Sequence, residues 1–176
     1  MGEGRDVFDF GIAGYRPEWL VGGRAVEAAH GRRLRGLVGR RLSGVWVVWD
    51  TEDDEWFADC PVLLDFEGER LELNHKKFDE LSVTWNQCDP RRPVVWPDFD
   101  LCWRDDALPE PASVLGRTLA RVEFVEWIGP DGRAGEGIDV AFAFEGGRRL
   151  TVFNALDENG LTLGPPDART RVHALQ

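Results

Sequence analysis

Residues 50–59, DTEDDEWFAD, crowd Asp50, Glu52, Asp53, Asp54, Glu55 and Asp59 around Trp56, with Trp49 immediately before them. Carboxylates beside aromatic faces are what a glycosidase uses, one as acid and one as base or nucleophile across the scissile bond. Asp50 and Glu55 beside Trp49 and Trp56 are therefore the first pair to consider for a carboxylate-dependent hydrolase. With 32 acidic residues and 8 tryptophans in the chain, some such neighbours arise by chance. The stretch lacks the glycine that a calcium loop of the EF-hand type needs at its sixth position. Its other use is electrostatic. Asp53, Asp54 and Glu55 would steer a basic partner, and Trp49 and Trp56 would supply the desolvated anchors that charge alone does not.

A second constellation lies at 72–80, ELNHKKFDE, where Asn74, His75 and Asp79 are candidate binding residues. Asn and Asp also cap and turn the backbone by bonding nearby amides, which is their commoner role. A later phrase, VFNALDEN at 152–159, keeps an asparagine and an acidic pair but has neither histidine nor lysine.

Other chemistries lack their signatures. Ser43, Ser82 and Ser113 sit in no G-x-S-x-G elbow, and no cysteine is paired in sequence with a histidine. Cys60, His75, Cys88 and Cys102 show none of the short spacings that let two zinc ligands share one turn, so no metal site is expected. GPDGRAGEG (129–137) is glycine-rich but lacks the phosphate-binding lysine and carries Asp131 and Glu136. It is expected to be a long hairpin turn, and no cofactor is expected. His75 is read as a surface residue and the cysteines as small buried side chains.

The elements that would position these residues come from a repeat. Gly39, Arg40, Leu42, Val45 and Val48 recur in order as Gly116, Arg117, Leu119, Val122 and Val125. Val62 and Phe66-Glu67-Gly68 recur as Val140 and Phe144-Glu145-Gly146. Arg70 and Leu71 then match Arg149 and Leu150, while Asp79, Glu80 and Thr84 match Asp157, Glu158 and Thr162. Matched glycines and acids, besides matched apolar positions, indicate an internal duplication of two copies, at 38–85 and 115–163. Each copy reads as strands: β-branched and aromatic runs with period two, and a hairpin over 62–66 and 69–73 with its counterpart over 138–144 and 148–153. Residues 81–85 and 160–163 are the fourth strands. A four-strand meander with one apolar face is marginal alone, so the two should cover each other.

The expected fold is mainly β, a β-rich α+β chain. Two pseudo-symmetric four-strand antiparallel meanders would pack as a sandwich or partly closed barrel, with one short N-terminal helix. Its parts are 1–37, with a helix in 22–37 that Gly31 should break or end early; 38–85; a Pro- and Trp-rich packed connector, 86–114; 115–163; and a tail, 164–176, ordered only in part. All form one compact unit. Trp46 and Trp49 have opposite parity on one strand, so one should face outward unless both faces are covered.

At 176 residues and 43% hydrophobic, the chain can bury a real core without staples. Its formal net charge of −11 repels phosphate backbones and anionic bilayers, so neither nucleic acid nor membrane is an expected partner. No stretch approaches the roughly 18 consecutive apolar residues of a membrane span, and the start has no leader-like pattern. A cytoplasmic location is expected, consistent with three cysteines that cannot all pair within one chain. The excess of arginine over lysine suggests a GC-rich bacterial coding bias. The expected function is a small acidic, non-catalytic binding module for a protein partner, a basic one by compositional analogy with immunity proteins. A small-molecule or saccharide pocket between the two halves is the alternative, and a carboxylate hydrolase the second.

Overall fold

The computed structural model describes residues 8–176. In chain order the elements are β1 (Trp19–Val21), α1 (Gly23–Arg35), β2 (Gly44–Asp50), β3 (Glu55–Trp56), β4 (Val62–Phe66), β5 (Glu69–Lys76), β6 (Glu80–Trp85), β7 (Leu101–Arg104), β8 (Leu119–Ile128), β9 (Ala134–Phe144), β10 (Arg149–Asn154), β11 (Asn159–Leu163) and β12 (Thr170–Ala174). A 3₁₀ turn, Pro111–Ser113, precedes β8.

All strand pairs are antiparallel, in two sheets. The seven-stranded sheet runs β1-β6-β5-β4-β2-β3, with β7 also pairing β2, and the five-stranded sheet runs β11-β10-β9-β8-β12. Each contains one meander, β2-β4-β5-β6 in the first and β8-β9-β10-β11 in the second. Neither sheet closes on itself, so the molecule is a sandwich and not a barrel.

Local chemistry sets the hairpins. Glu67 and Gly68, between β4 and β5, have φ of 53° and 92°, the left-handed pair that a two-residue turn needs to match strand twist. In the second copy Gly146 and Gly147 take that role in a turn one residue longer, closed by Phe144 N–H to Arg148 O at 2.8 Å. The glycine-rich 129–137 stretch makes a shorter turn than its composition suggests. Gly129 N–H bonds Arg133 O at 2.9 Å and β9 begins at Ala134.

The entries to the two meanders pair with each other as a two-fold would require. Gly39 N–H bonds Leu119 O at 2.8 Å, and its counterpart Gly116 N–H bonds Leu42 O at 2.8 Å. Leu119 N–H bonds Arg40 O at 2.8 Å, and Leu42 N–H bonds Arg117 O at 3.1 Å. Matched residues of the sequence repeat thus exchange matched hydrogen bonds.

The main core lies between the sheets and takes in Val26 and Leu34 of α1, Val45, Val47, Leu64, Phe66, Leu71 and Leu73 of the first sheet, and Val122, Phe124, Val140, Phe142, Leu150 and Val152 of the second. Full burial of a Leu or Phe is worth roughly 1.5–3 kcal/mol, so neither face could stand open to water. A second core covers the other face of the first sheet. Phe10, Ile12 and Tyr15 from before β1, and Cys88, Val94, Leu101 and Trp103 from the connector, pack there on Val48 and Leu63. Glu72 ties the connector down, its buried carboxylate accepting the N–H groups of Gln87 and Cys88 at 2.6 and 2.7 Å and the Thr84 hydroxyl.

Both faces of this sheet are covered, the condition under which neither β2 tryptophan would face outward: Trp46 packs against the second core and Trp49 against the first. Two expectations are corrected. Gly31 does not break α1. It sits between Glu27 and Arg35, one turn away on either side, and the missing Cβ lets their side chains meet over it at 3.4 Å. The tail is not loose, since β12 supplies the pairing that the edge of β8 would otherwise lack, and Leu175 is buried in the main core. Among the described residues no helix is long and apolar enough to cross a membrane.

Candidate functional site

Two hairpin tips, one from each copy, meet at one end of the sandwich. The β5–β6 tip carries Lys77 at φ 53° and then Phe78, and the β10–β11 tip carries Leu156 and Asp157 at φ 65° and 79°. Both link the third and fourth strands of a meander, and Phe78 and Leu156 directly precede the matched residues Asp79 and Asp157. The tips are bonded together: Asn154 Nδ2 donates to Lys77 O at 2.9 Å, and Lys77 N–H donates to Asp157 Oδ1. Gly137 of β9 admits the first tip, since a Cβ there would lie 2.7 Å from Phe78 O. Phe78 and Leu156 are nonetheless 74% and 77% exposed.

Beside the tips, the outer face of β8, β9 and β10 forms an open groove of about 800 Å³. Val125, Trp127 and Phe153 line it together with Phe78 and Leu156, and Trp127 is 49% exposed. The Phe153 ring lies on Gly160 across the β10–β11 pair, in space that any side chain at 160 would fill. The groove's charged residues are Lys77, Asp79, Glu136 and Asp139. Lys77 Nζ is taken by Glu80 at 2.9 Å, which leaves the groove acidic.

Asp139 is the groove carboxylate that burial perturbs. Its Oδ1 accepts the Asn154 N–H at 2.9 Å, which favours the carboxylate, but burial outweighs this and raises its pKa to about 6. Behind it stands His75, Nε2 at 3.9 Å from the same oxygen. His75 is not the surface residue expected from sequence; it is 3% exposed, and burial lowers its pKa to about 4.

Asn159 explains why His75 is held there. β4 begins at Val62, opposite Leu73, so β5 continues past it with an unpaired edge. The Asn159 side chain fills the vacancy. Its Oδ1 accepts His75 N–H at 2.8 Å and lies 3.1 Å from Nδ1, while Nδ2 donates to Cys60 O at 2.9 Å, Ala58 O at 3.0 Å and Asn74 Oδ1 at 2.8 Å. Nε2 faces Ile138 O at 3.2 Å. Both ring nitrogens thus face acceptors, and a neutral imidazole donates to only one. Asn74 and His75 join the two sheets and do not line the groove; Asp79 does.

The acidic turn lies elsewhere and is largely accounted for by its own backbone. Asp50, 3% exposed, accepts the N–H groups of Glu52 and Asp53 on Oδ1 at 2.9 and 3.4 Å. Asp54, at φ 54°, accepts Trp49 Nε1–H at 3.0 Å. Trp49 and Trp56 face each other across β2 and β3, both pack on the main core, and the Arg104 guanidinium lies 5.3 Å over the Trp49 ring. Asp53, Asp54 and Glu55 remain exposed. Asp50, committed to the turn, is poorly placed as half of a catalytic pair.

Cys60 and Cys88 are buried, and burial pushes both thiols well above the ordinary range, away from the nucleophilic thiolate. Cys102, expected to be buried, is only partly so. The described residues contain no group of three or more His, Cys, Asp or Glu placed to hold a metal. Comparisons of the chain with protein-family models, curated proteins and solved structures found no match.

Phe78, Asp139, Phe153, Leu156 and Asn159 do not stand out in the sequence, and Trp127 does so only as one of several tryptophans in or near the predicted strands. One signal was present: both copies place a large apolar residue at a hairpin tip, just before the matched aspartate, where polar residues are the rule.

Proposed function

We propose that the chain is a non-catalytic binding module that takes a segment of a basic protein partner into the groove beside the two linked tips. The observation that carries this reading is the Phe78–Leu156 pair. Two large apolar side chains stand in water on tips fixed to each other, one of them in a backbone conformation that bulky residues avoid. Exposed apolar surface rimmed by polar groups is typical of partner sites. Asp79, Glu136 and Asp139 complement a basic segment, and the exposed acids Asp53, Asp54 and Glu55 add to the field of a chain with net charge −11.

The test is selection of random displayed peptides on the wild-type chain, followed by affinity measurement on a Phe78→Ser/Leu156→Ser variant. Selected peptides should combine Lys or Arg with apolar residues, weaken as salt rises, and bind the variant at least tenfold more weakly. Peptides that bind both chains equally would place recognition outside the groove and sink the reading.

A saccharide or small-molecule ligand is favoured by one feature, that the groove draws its walls from both copies. Oligosaccharides that shift the Trp127 indole signal when the selected peptides do not would make this the better reading.

A further inference from the structure

The groove floor holds a carboxylate that the described residues leave without a cationic partner. Asp139 Oδ1 is occupied by the Asn154 N–H, and no lysine or arginine among the described residues pairs with either oxygen. The groove's own lysine, Lys77, is engaged by Glu80. The charged groups around Asp139 are His75 from β5, Lys77 and Asp79 from the β5–β6 tip, and Glu136 from its own strand. β8 and β10 present only Val125, Trp127, Phe153 and Asn154.

We propose that Asp139 anchors one primary ammonium group, a lysine side chain of the partner, laid along the aromatic wall of the groove. This rests on the binding-module reading above and names the residue that the groove selects. A carboxylate with one oxygen already committed offers a single open acceptor, which suits a compact ammonium better than a guanidinium seeking both oxygens. The methylene stem of a lysine would cover Phe153 and Trp127, and a cation near a tryptophan face gains a further electrostatic attraction. Burial already disfavours the lone carboxylate, so an incoming cation pairs a charge that the fold leaves uncompensated.

The experiment titrates the full chain with Ac-Phe-Lys-Leu-NH2 and with the same peptide carrying norleucine or arginine in place of lysine, followed by amide and indole NMR. The lysine peptide should shift the Trp127, Gly137 and Asn154 signals and bind at least tenfold more tightly than the norleucine peptide, with arginine between them. Asp139→Asn keeps the acceptor for Asn154 N–H, and it should reduce the lysine preference below twofold. On the wild-type chain, the Asp139 carboxyl-carbon titration should move to lower pH by at least one unit when the lysine peptide is bound. This second readout keeps the test decisive if the variant folds poorly. Equal binding of lysine and norleucine peptides, or an unmoved Asp139 titration, overturns the anchor while leaving the groove reading standing. No groove shift with any peptide overturns both.

Discussion

Asn159 of one sheet serves as a missing strand residue for His75 of the other, its Oδ1 taking the His75 N–H at 2.8 Å. One side-chain amide thereby satisfies backbone groups from two separate segments of the first copy, and it does so in the buried seam between the sheets. Removing it leaves a buried N–H and buried carbonyls unpaired, at roughly 1–3 kcal/mol for each group that water cannot reach. Asn159→Ala should therefore lose about 3 kcal/mol in urea unfolding, and Asn159→Asp at least as much, because a carboxylate would face Ala58 O, Cys60 O and Asn74 Oδ1. A loss below about 1 kcal/mol would show that the seam does not depend on this amide.

The pH dependence of stability tests the neighbouring pair. His75 falls to about 4 in the folded chain from an ordinary 6.5, so the unfolded chain binds more protons between those values and stability drops as pH falls through that window. Asp139 rises to about 6 from 3.8, so the folded chain binds more protons and stability grows as pH falls through nearly the same window. The two slopes oppose each other in the wild type. Asp139→Asn should leave the histidine slope, with stability lost from pH 6.5 to 4, and His75→Gln should leave the opposite one. Parallel profiles for the two variants would contradict the assignment.

Much of the fold was legible because it rests on local chemistry. The glycine-marked hairpins at Gly68 and Gly146, and the period-two apolar runs around them, fixed β4, β5, β9 and β10 to within three residues except at the start of β9. Short strands placed by tertiary pairing were not legible. β1, β7 and β12 span five residues or fewer and exist because an edge of β6, β2 or β8 is there to receive them. The second core followed the same rule: Phe10 and Trp96 carry no periodic pattern, yet they bury the outer face of β2 and so turn Trp46 inward. The candidate site was harder still. Trp49, Trp56 and the acidic turn drew notice through local density, whereas the groove collects Phe78, Trp127, Asp139 and Leu156 from positions far apart in sequence. The sequence makes His75 look exposed, and the structure buries it, because the residue that holds it, Asn159, looks in sequence like any turn asparagine.

Gly137 sets how closely the first tip can approach the second sheet. A Cβ there would stand 2.7 Å from Phe78 O and 3.2 Å from Asp79 Cα, both backbone atoms that cannot swing away. Gly137→Ala should cost about 1–3 kcal/mol, the usual range for overpacking. It should also push Phe78 away from Trp127 and weaken the lysine peptide severalfold. Wild-type stability together with wild-type binding would show that the approach is not constrained.

Leu156 offers the clearest separation of stability from function. Its φ of 65° puts a branched, bulky side chain in the left-handed region, where each non-glycine residue costs of order 1–3 kcal/mol unless its surroundings hold it there. What Leu156 gains in return is not packing, since most of its side chain lies in water. Asparagine tolerates this conformation far better. Leu156→Asn should therefore raise stability by about 0.5–1 kcal/mol, seen as a higher urea midpoint with an unchanged slope. If the leucine is kept for its contact with a partner, the same substitution should weaken the selected peptides several-fold. A variant that is more stable and binds as well as wild type would mean that the strain serves nothing in the groove, and Leu156 would drop out of the site.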